Sequence, residues 1–200
     1  MSTETHTLGR RERNKLDKLE RIMAAAGELF AERGVADVTT QQIADKADIG
    51  TGTLFLYAKT KGELLLLVQN SMYAEALERG RAAASQADTV LEGVLGALRP
   101  VIECNRKRVD NGRTYLREIV FGDSDEPHHR EALALTAQTE ELVMEVIASN
   151  SGITIDRARA LARIISAIMF LTMSAAANVS HSVDQIAEEI AVQITPILPD

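Results

Sequence analysis

Apolar positions recur along most of this chain at helical spacing. Leu19, Ile22, Met23, Ala26, Leu29 and Phe30 fall on one face and predict a helix over 16–33, which Gly34 ends. Thr39, with Gln42 three residues later, has the pattern of a capping box opening a second helix to about 47. Asp48-Ile49-Gly50 reads as a turn and 51–57 as a short helix. Thr60 and Glu63 repeat the capping pattern ahead of a long helix over 61–84. Further helices are predicted over 88–108, 110–122, 127–149, 155–179 and 183–198. Pro127 suits a first helical turn, and Pro100 with Gly93 and Gly96 predicts a bend. Period-two alternation, repeats and low-complexity tracts are absent. The expected fold is all-α with about nine helices: a first domain over 1–62 and a second over 63–200. The first dozen residues read as a flexible arm ending in Arg10, Arg11, Arg13 and Lys15.

The short helix is the odd element, because seven residues rich in Thr and aromatics do not hold a helix alone. Helix, tight turn, short helix is the helix-turn-helix layout, whose second helix enters the DNA major groove. The pattern agrees: Ile43, Ala44, Ala47, Ile49 and Leu54 can close a small core with Leu29 and Phe30. Thr51, Gly52, Thr53, Phe55, Leu56 and Tyr57 are then left at or near the outer face. Small residues from Gly50 to Thr53 would let a phosphate backbone approach the helix start. Lys61 opens its own helix, where the macrodipole disfavours a cation; it is either solvated or placed for a phosphate.

This stretch resembles the DNA-binding region of the TetR family of bacterial transcriptional repressors. The resemblance runs from Thr40 through Ile43-Ala44, Ala47, Gly52-Thr53-Leu54, Tyr57 and Lys61 to Leu64, with Ala24 to Val35 resembling the family's first helix. It spans roughly 15–68. It implies phosphate contacts from Thr40, Tyr57 and Lys61, with Gln41 reaching the backbone, and base-edge contacts from Thr51, Thr53 and Leu56. Gly52 and Phe55 belong to the same DNA-binding face. The chain departs from the family at Asp48 for Gly, Gly50 for the Ser cap, Phe55 for Tyr and Ala58 for Phe. Asp tolerates the left-handed region better than most residues, so the turn survives. Phe55 lacks the phosphate-donating hydroxyl. Leu56 can read a thymine methyl but makes no hydrogen bond.

Charge and composition narrow the partners. Net charge is −7, yet residues 1–62 hold ten Lys+Arg against nine Asp+Glu while 63–200 hold twelve against twenty. That excludes a generic polyanion binder and permits a localised DNA surface. Hydrophobic content of 46% supports a real core, and the lone Cys104 fits a reducing cytoplasm. The start of the chain has no apolar core and is not read as a signal peptide. The apolar run 164–179 is shorter than a bilayer span of roughly 20 residues and reads as core, so no membrane partner is expected.

In the second domain, the helix over 155–179 is apolar almost all round, with Ile164, Ile168 and Leu171 among its large residues. The last helix carries Ile186, Ile190 and Ile194 in one stripe. Both helices can pack within one subunit; the resemblance implies that they meet a symmetry mate in a homodimer. Met72, Tyr73, Leu98, Ile102 and Tyr115, with Ile119, Phe121, Met144, Met169 and Met173, are candidates to line a pocket for an apolar or aromatic small-molecule effector, or to be plain core. Asp123, Asp125 and Glu126 ahead of Pro127, His128 and His129 read as a solvated helix cap rather than a metal site. Gly50-Thr51-Gly52 lacks the strand a phosphate loop needs. No catalytic residues, metal or cofactor are expected. The resulting expectation is a ligand-responsive dimeric repressor on a palindromic operator; the competing one is a helical protein-interaction adaptor that does not bind DNA.

Overall fold

The computed structural model describes residues 9–199. Among these are nine α-helices, two short 3-10 turns and no strand. The chain divides into two compact units, Met1–Val68 and Gln69–Asp200, with the division inside α4, after Val68.

In the first unit α1 spans Arg10–Arg33 and begins earlier than its apolar face predicts. Arg, Glu and Lys are good helix formers, and Arg13 N–H bonds the Gly9 carbonyl at 3.1 Å, so the polar residues extend the helix. Arg10, Arg11 and Arg13 are therefore exposed positions of its first turn and not a flexible arm; residues 1–8 of the expected arm lie outside the described residues. Gly34 ends the helix at φ 84°, its N–H on the Phe30 carbonyl. α2, Thr40–Lys46, starts with both bonds of the capping box: Gln42 N–H to Thr39 Oγ1 at 3.2 Å and Thr39 N–H to Gln42 Oε1 at 2.9 Å. Asp48 adopts φ 53° in the turn, the left-handed conformation that Asp accepts more readily than most residues.

α3 is only Thr51–Leu54, and 55–57 continue as turn. Leu56 and Tyr57 bond back three residues, to Thr53 and Leu54, tighter than α-helical pairing. What holds so short an element is burial. Ile43, Ala44, Ala47 and Leu54 close over Leu29, Phe30 and Ile22, with Ala58 buried beside them, while Ile49 is half-buried. At Lys59–Glu63 the capping differs from the reciprocal box: Glu63 N–H reaches Thr60 Oγ1 at 3.1 Å, but the Glu63 carboxylate accepts from Lys59 N–H at 2.9 Å.

The second unit takes the rest of α4 (Lys61–Ala84) with α5 (Val90–Arg106), α6 (Val109–Phe121), α7 (Pro127–Ser151), α8 (Ile155–Ser174) and α9 (Val183–Ile194). α7 packs on α5 and α8, α9 on α5 and α8, and α6 on α5, α7 and α8. Capping boxes at Thr89/Glu92 and Ser182/Gln185 open α5 and α9. Pro100 sits inside α5 without ending it.

Two expectations change here. α8 stops at Ser174, not near 179, although the sequence has no Gly or Pro there. The break is held from a distance. The Arg106 guanidinium on α5 donates to the carbonyls of Asn178, Val179 and His181, and Asn178 Nδ2 donates to Thr172 O and to Glu189. The stripe Ile186, Ile190, Ile194 is fully buried inside the chain. α9 turns that stripe onto α5 and α8, so these residues belong to the subunit core and cannot face a second copy. Ile164 and Leu171 on α8 remain exposed, with Ile168 half-buried between them.

Candidate functional site

The outer face of the first unit is built around α3. Leu56 is 83% exposed and Phe55 44% exposed, an unusual amount of open apolar surface next to a small core. A Cβ added at Gly50 or Gly52 would meet nothing within 4 Å, and neither glycine has positive φ. Nothing among the described residues demands their small size.

Thr51 Oγ1 donates to Gln41 Oε1 at 2.6 Å, and Gln41 Nε2 donates to Asp45 Oδ1 at 2.7 Å. This relay sets the rotamers of Thr51 and Gln41 across the turn, while Thr40 is half-buried at the start of α2. Arg11, Lys15 and Lys18 of α1 line a groove together with Glu12, Thr53, Leu56 and Tyr57. Sequence reasoning assigns no role to Lys15 or Lys18, because only folding brings α1 beside the end of α3; their spacing of about one helical turn is the available signal.

Two expected phosphate ligands are already engaged. The Tyr57 hydroxyl donates to the Lys15 carbonyl at 3.2 Å, which ties α3 to α1 and occupies its single proton. Lys61 Nζ donates to the carbonyls of Ala36 and Val38 at 2.9 and 3.0 Å. These acceptors, in the loop before α2, account for a cation at a helix start without a phosphate. One ammonium N–H remains beyond the two bonds.

The second unit contains a mainly apolar cavity of about 290 Å³. Of the ten expected lining residues, Tyr73, Ile119, Met169 and Met173 line it. Leu98, Ile102 and Tyr115 are buried as ordinary core, Met72 is half-buried elsewhere on α4, Met144 lines a separate groove with Arg159 and Ala162, and Phe121 is 81% exposed. Helical spacing identifies inward residues but not which of them abuts a void. The cavity also takes Leu116 and Val120 from α6, Thr136 and Glu140 from α7, and Arg163 and Phe170 from α8, none of which was expected.

Tyr73 is fixed by Thr139 at 3.0 Å. Thr139 gives its own proton to the Leu135 carbonyl, so the tyrosine is the donor. Burial pushes the Tyr73 hydroxyl up to about 12. Tyr115 packs beside it, ring centroids 6.2 Å apart, and donates to Asn70 Oδ1, whose amide donates to the His128 carbonyl and Glu131. α4 therefore carries, within one turn, one side chain in the cavity wall and one in a buried polar chain.

The acidic stretch before α7 is not wholly a solvated cap. Glu126 and His129 are buried, and His129 Nε2 lies 3.0 Å from the Ile119 carbonyl. A carbonyl only accepts, so Nε2 carries the proton and the ring ties α6 to α7. Among the described residues no cluster of three metal-ligating side chains occurs. Cys104 is buried, and that burial pushes its thiol up, which leaves a poor nucleophile. No helix of the described residues is long and apolar enough to cross a membrane.

Comparison with known proteins follows the same division. No curated protein sequence matches the chain. Among solved structures, a TetR transcriptional regulator from Rhodococcus sp. RHA1 aligns over 92% of this chain and 97% of its own at TM-score 0.70 and 17% identity. Thermus thermophilus FadR, a TetR-family repressor solved in complex with lauroyl-CoA, aligns over 88% and 92% at 0.64 and 22% identity. Bacillus subtilis FadR, solved with stearoyl-CoA, aligns over 88% and 96% at 0.60 and 15% identity. These likenesses show the all-helical fold over about nine-tenths of the chain. Residues 22–68 match the sequence model of the bacterial regulatory proteins of the tetR family, from the buried Ile22 of α1 through the helix-turn-helix to Val68. It is in this helix-turn-helix region, about a quarter of the chain, that the sequence is similar to the bacterial regulatory proteins of the tetR family.

Proposed function

We propose that the chain is a homodimeric repressor that holds a palindromic operator through α3 and releases it when a small molecule enters the cavity of the second unit. The observation that carries the DNA half is the outer face of α3. An open Leu56, two uncrowded glycines and preset Thr51 and Gln41 lie beside a groove with three basic residues. Leu56 and Thr53 read base edges, Arg11, Lys15 and Lys18 neutralise phosphates, and the third N–H of Lys61 adds a further backbone contact. Two copies meet through the outer side of α8, where Ile164 and Leu171 are open, and through Val192 of α9. A dimer supplies the two-fold that a palindrome requires. The cavity is the effector site, a reading supported by the acyl-CoA complexes of the two FadR proteins. α4 is continuous from the cavity wall at Tyr73 to Lys61 and is the element through which occupancy reaches the DNA-binding unit. The protein is a regulator and not an enzyme, and it works where the operator is, in the cytoplasm.

The test is an electrophoretic mobility shift with fragments from the upstream region of the chain's own gene, titrated at several salt concentrations. Leu56→Ala should change base preference at one position per half-site and leave the salt slope alone. Lys15→Ala should reduce that slope by roughly 0.9 for each phosphate it no longer neutralises, about 1.8 per dimer. Fragments that are never retained, or are retained equally by both variants, would overturn the reading.

A further inference from the structure

A second hollow adjoins the cavity. It is a recess of about 450 Å³ lined by Asp110, Arg113, Thr114, Arg117, Phe121 and Ser174, and Phe170 stands in the wall of both spaces. Both lie between α6 and α8, so a ligand longer than the cavity has its exit past Phe170.

The recess has the chemistry of an anion site. Arg113 and Arg117 stand one turn apart on α6, a spacing at which like charges repel. They do so in a unit whose residues 69–200 hold twelve Lys+Arg against nineteen Asp+Glu. The single recess carboxylate, Asp110, cannot balance both. Among the described residues Arg113 makes no ion pair, and Arg117 reaches only its neighbour Glu118 at 3.3 Å. Ser174 Oγ is buried with no hydrogen-bond partner, a hydroxyl left with a proton to give. A carboxylate or phosphate would accept from all three side chains. The cavity wall carries one acid and one base, Glu140 and Arg163, against two arginines and one aspartate in the recess, so the recess is the end that favours an anion and the molecule lies head outward.

We propose that the effector is an anionic amphipath, with an unbranched apolar tail in the cavity and its carboxylate or phosphate head on Arg113, Arg117 and Ser174. At about 30 Å³ for a water-sized group such as a methylene, 290 Å³ holds a tail of about ten carbons. This inference rests on the reading of the cavity as the effector site.

Isothermal titration calorimetry on the full-length protein without DNA tests it, using decanoate, decanoyl-CoA, coenzyme A alone and 1-decanol below their micellar concentrations. At least one of the two anionic decanoyl compounds should bind tenfold or more tighter than decanol, and whichever does so identifies a free acid or a phosphate-bearing conjugate as the source. The double variant Arg113→Gln, Arg117→Gln should weaken that anion tenfold or more and leave decanol within twofold, which also shows that the cavity remains folded. Ser174→Ala should weaken it in the same direction. Decanol binding as well as the anions, coenzyme A alone matching its decanoyl ester, no binding of either anion, or a double variant that behaves as wild type would each overturn the proposal. Anion binding with an operator complex that stays intact would leave the inference standing and remove the effector reading instead.

Discussion

Replacing Lys61 by Met separates two jobs that one ammonium can do. Met keeps an unbranched stem and a good helix former, and removes only the charge and its N–H groups. The structure places two of those N–H groups on the carbonyls of Ala36 and Val38, at 2.9 and 3.0 Å. A hydrogen bond of this kind in a half-buried setting is worth about 0.5–1.5 kcal/mol, so the pair contributes about 1–3 kcal/mol. Removing a cation from the start of α4 returns about 0.3–1 kcal/mol, because the macrodipole disfavours it there. The net loss is about 1–2 kcal/mol, and it falls on the loop that leads into α2. With two units in the chain, global unfolding does not isolate this contribution, so the measurement is amide hydrogen exchange across 36–58. Exchange should quicken about 5- to 30-fold, with peptides of the second unit unchanged. The salt slope of operator binding, measured on the same variant, reports the third N–H. It should fall by roughly 0.9 per subunit if that proton sits on a phosphate. Unchanged exchange across 36–58 would refute the argument that Lys61 stitches the loop to α4, whatever happens to the slope.

Ile190→Asp should unfold the second unit, at a penalty of several kcal/mol for an unpaired carboxylate in the core, and not yield a folded monomer. Leu171→Asp combined with Val192→Asp, both positions 69% exposed, should instead give a folded monomer; circular dichroism and light scattering distinguish the cases, and a folded dimer of the double variant removes α8 and α9 from the interface. Gly112→Ala would place a Cβ 2.1 Å from the Asn105 carbonyl oxygen and 2.5 Å from its Oδ1, so the α5–α6 corner must open. A cost of about 1–3 kcal/mol should lower the Tm by several degrees, and an unchanged melting curve would show that the corner yields more easily than these distances imply. The buried Tyr73 hydroxyl, held up to about 12 against an ordinary 10.0, contributes stability that is complete below about pH 10 and is lost as pH rises towards 12, with Tyr115 displaced in the same direction by its own burial. Ionisation of Tyr73 and Tyr115, followed by tyrosinate absorbance, should therefore coincide with the loss of circular dichroism above about pH 10, and ionisation of these two buried tyrosines near pH 10 with the helices intact would contradict the burial.

Local pattern was enough for most of the fold. The capping box at Thr39 and Gln42, the stop at Gly34, Pro127 in the first turn of α7 and the helical spacing of the core positions all act within one or two turns of helix, so they are written in consecutive residues. The same holds for the helix-turn-helix, whose small core of Ile43, Ala44, Ala47 and Leu54 leaves Leu56 outside by periodicity alone. What tertiary structure decided is the destination of each face. The stripe of Ile186, Ile190 and Ile194 is legible as apolar, but an apolar stripe serves a neighbouring helix or a second copy equally well, and only the packing of α9 on α5 and α8 assigns it to the former. The early end of α8 depends on Arg106, some seventy residues upstream, and the engagement of Lys61 and Tyr57 depends on backbone carbonyls 25 and 42 residues away. The cavity is the extreme case. It is a place where close packing is incomplete, a property of five helices together, so no single helix's pattern could separate Met169, which lines it, from Leu98, which does not.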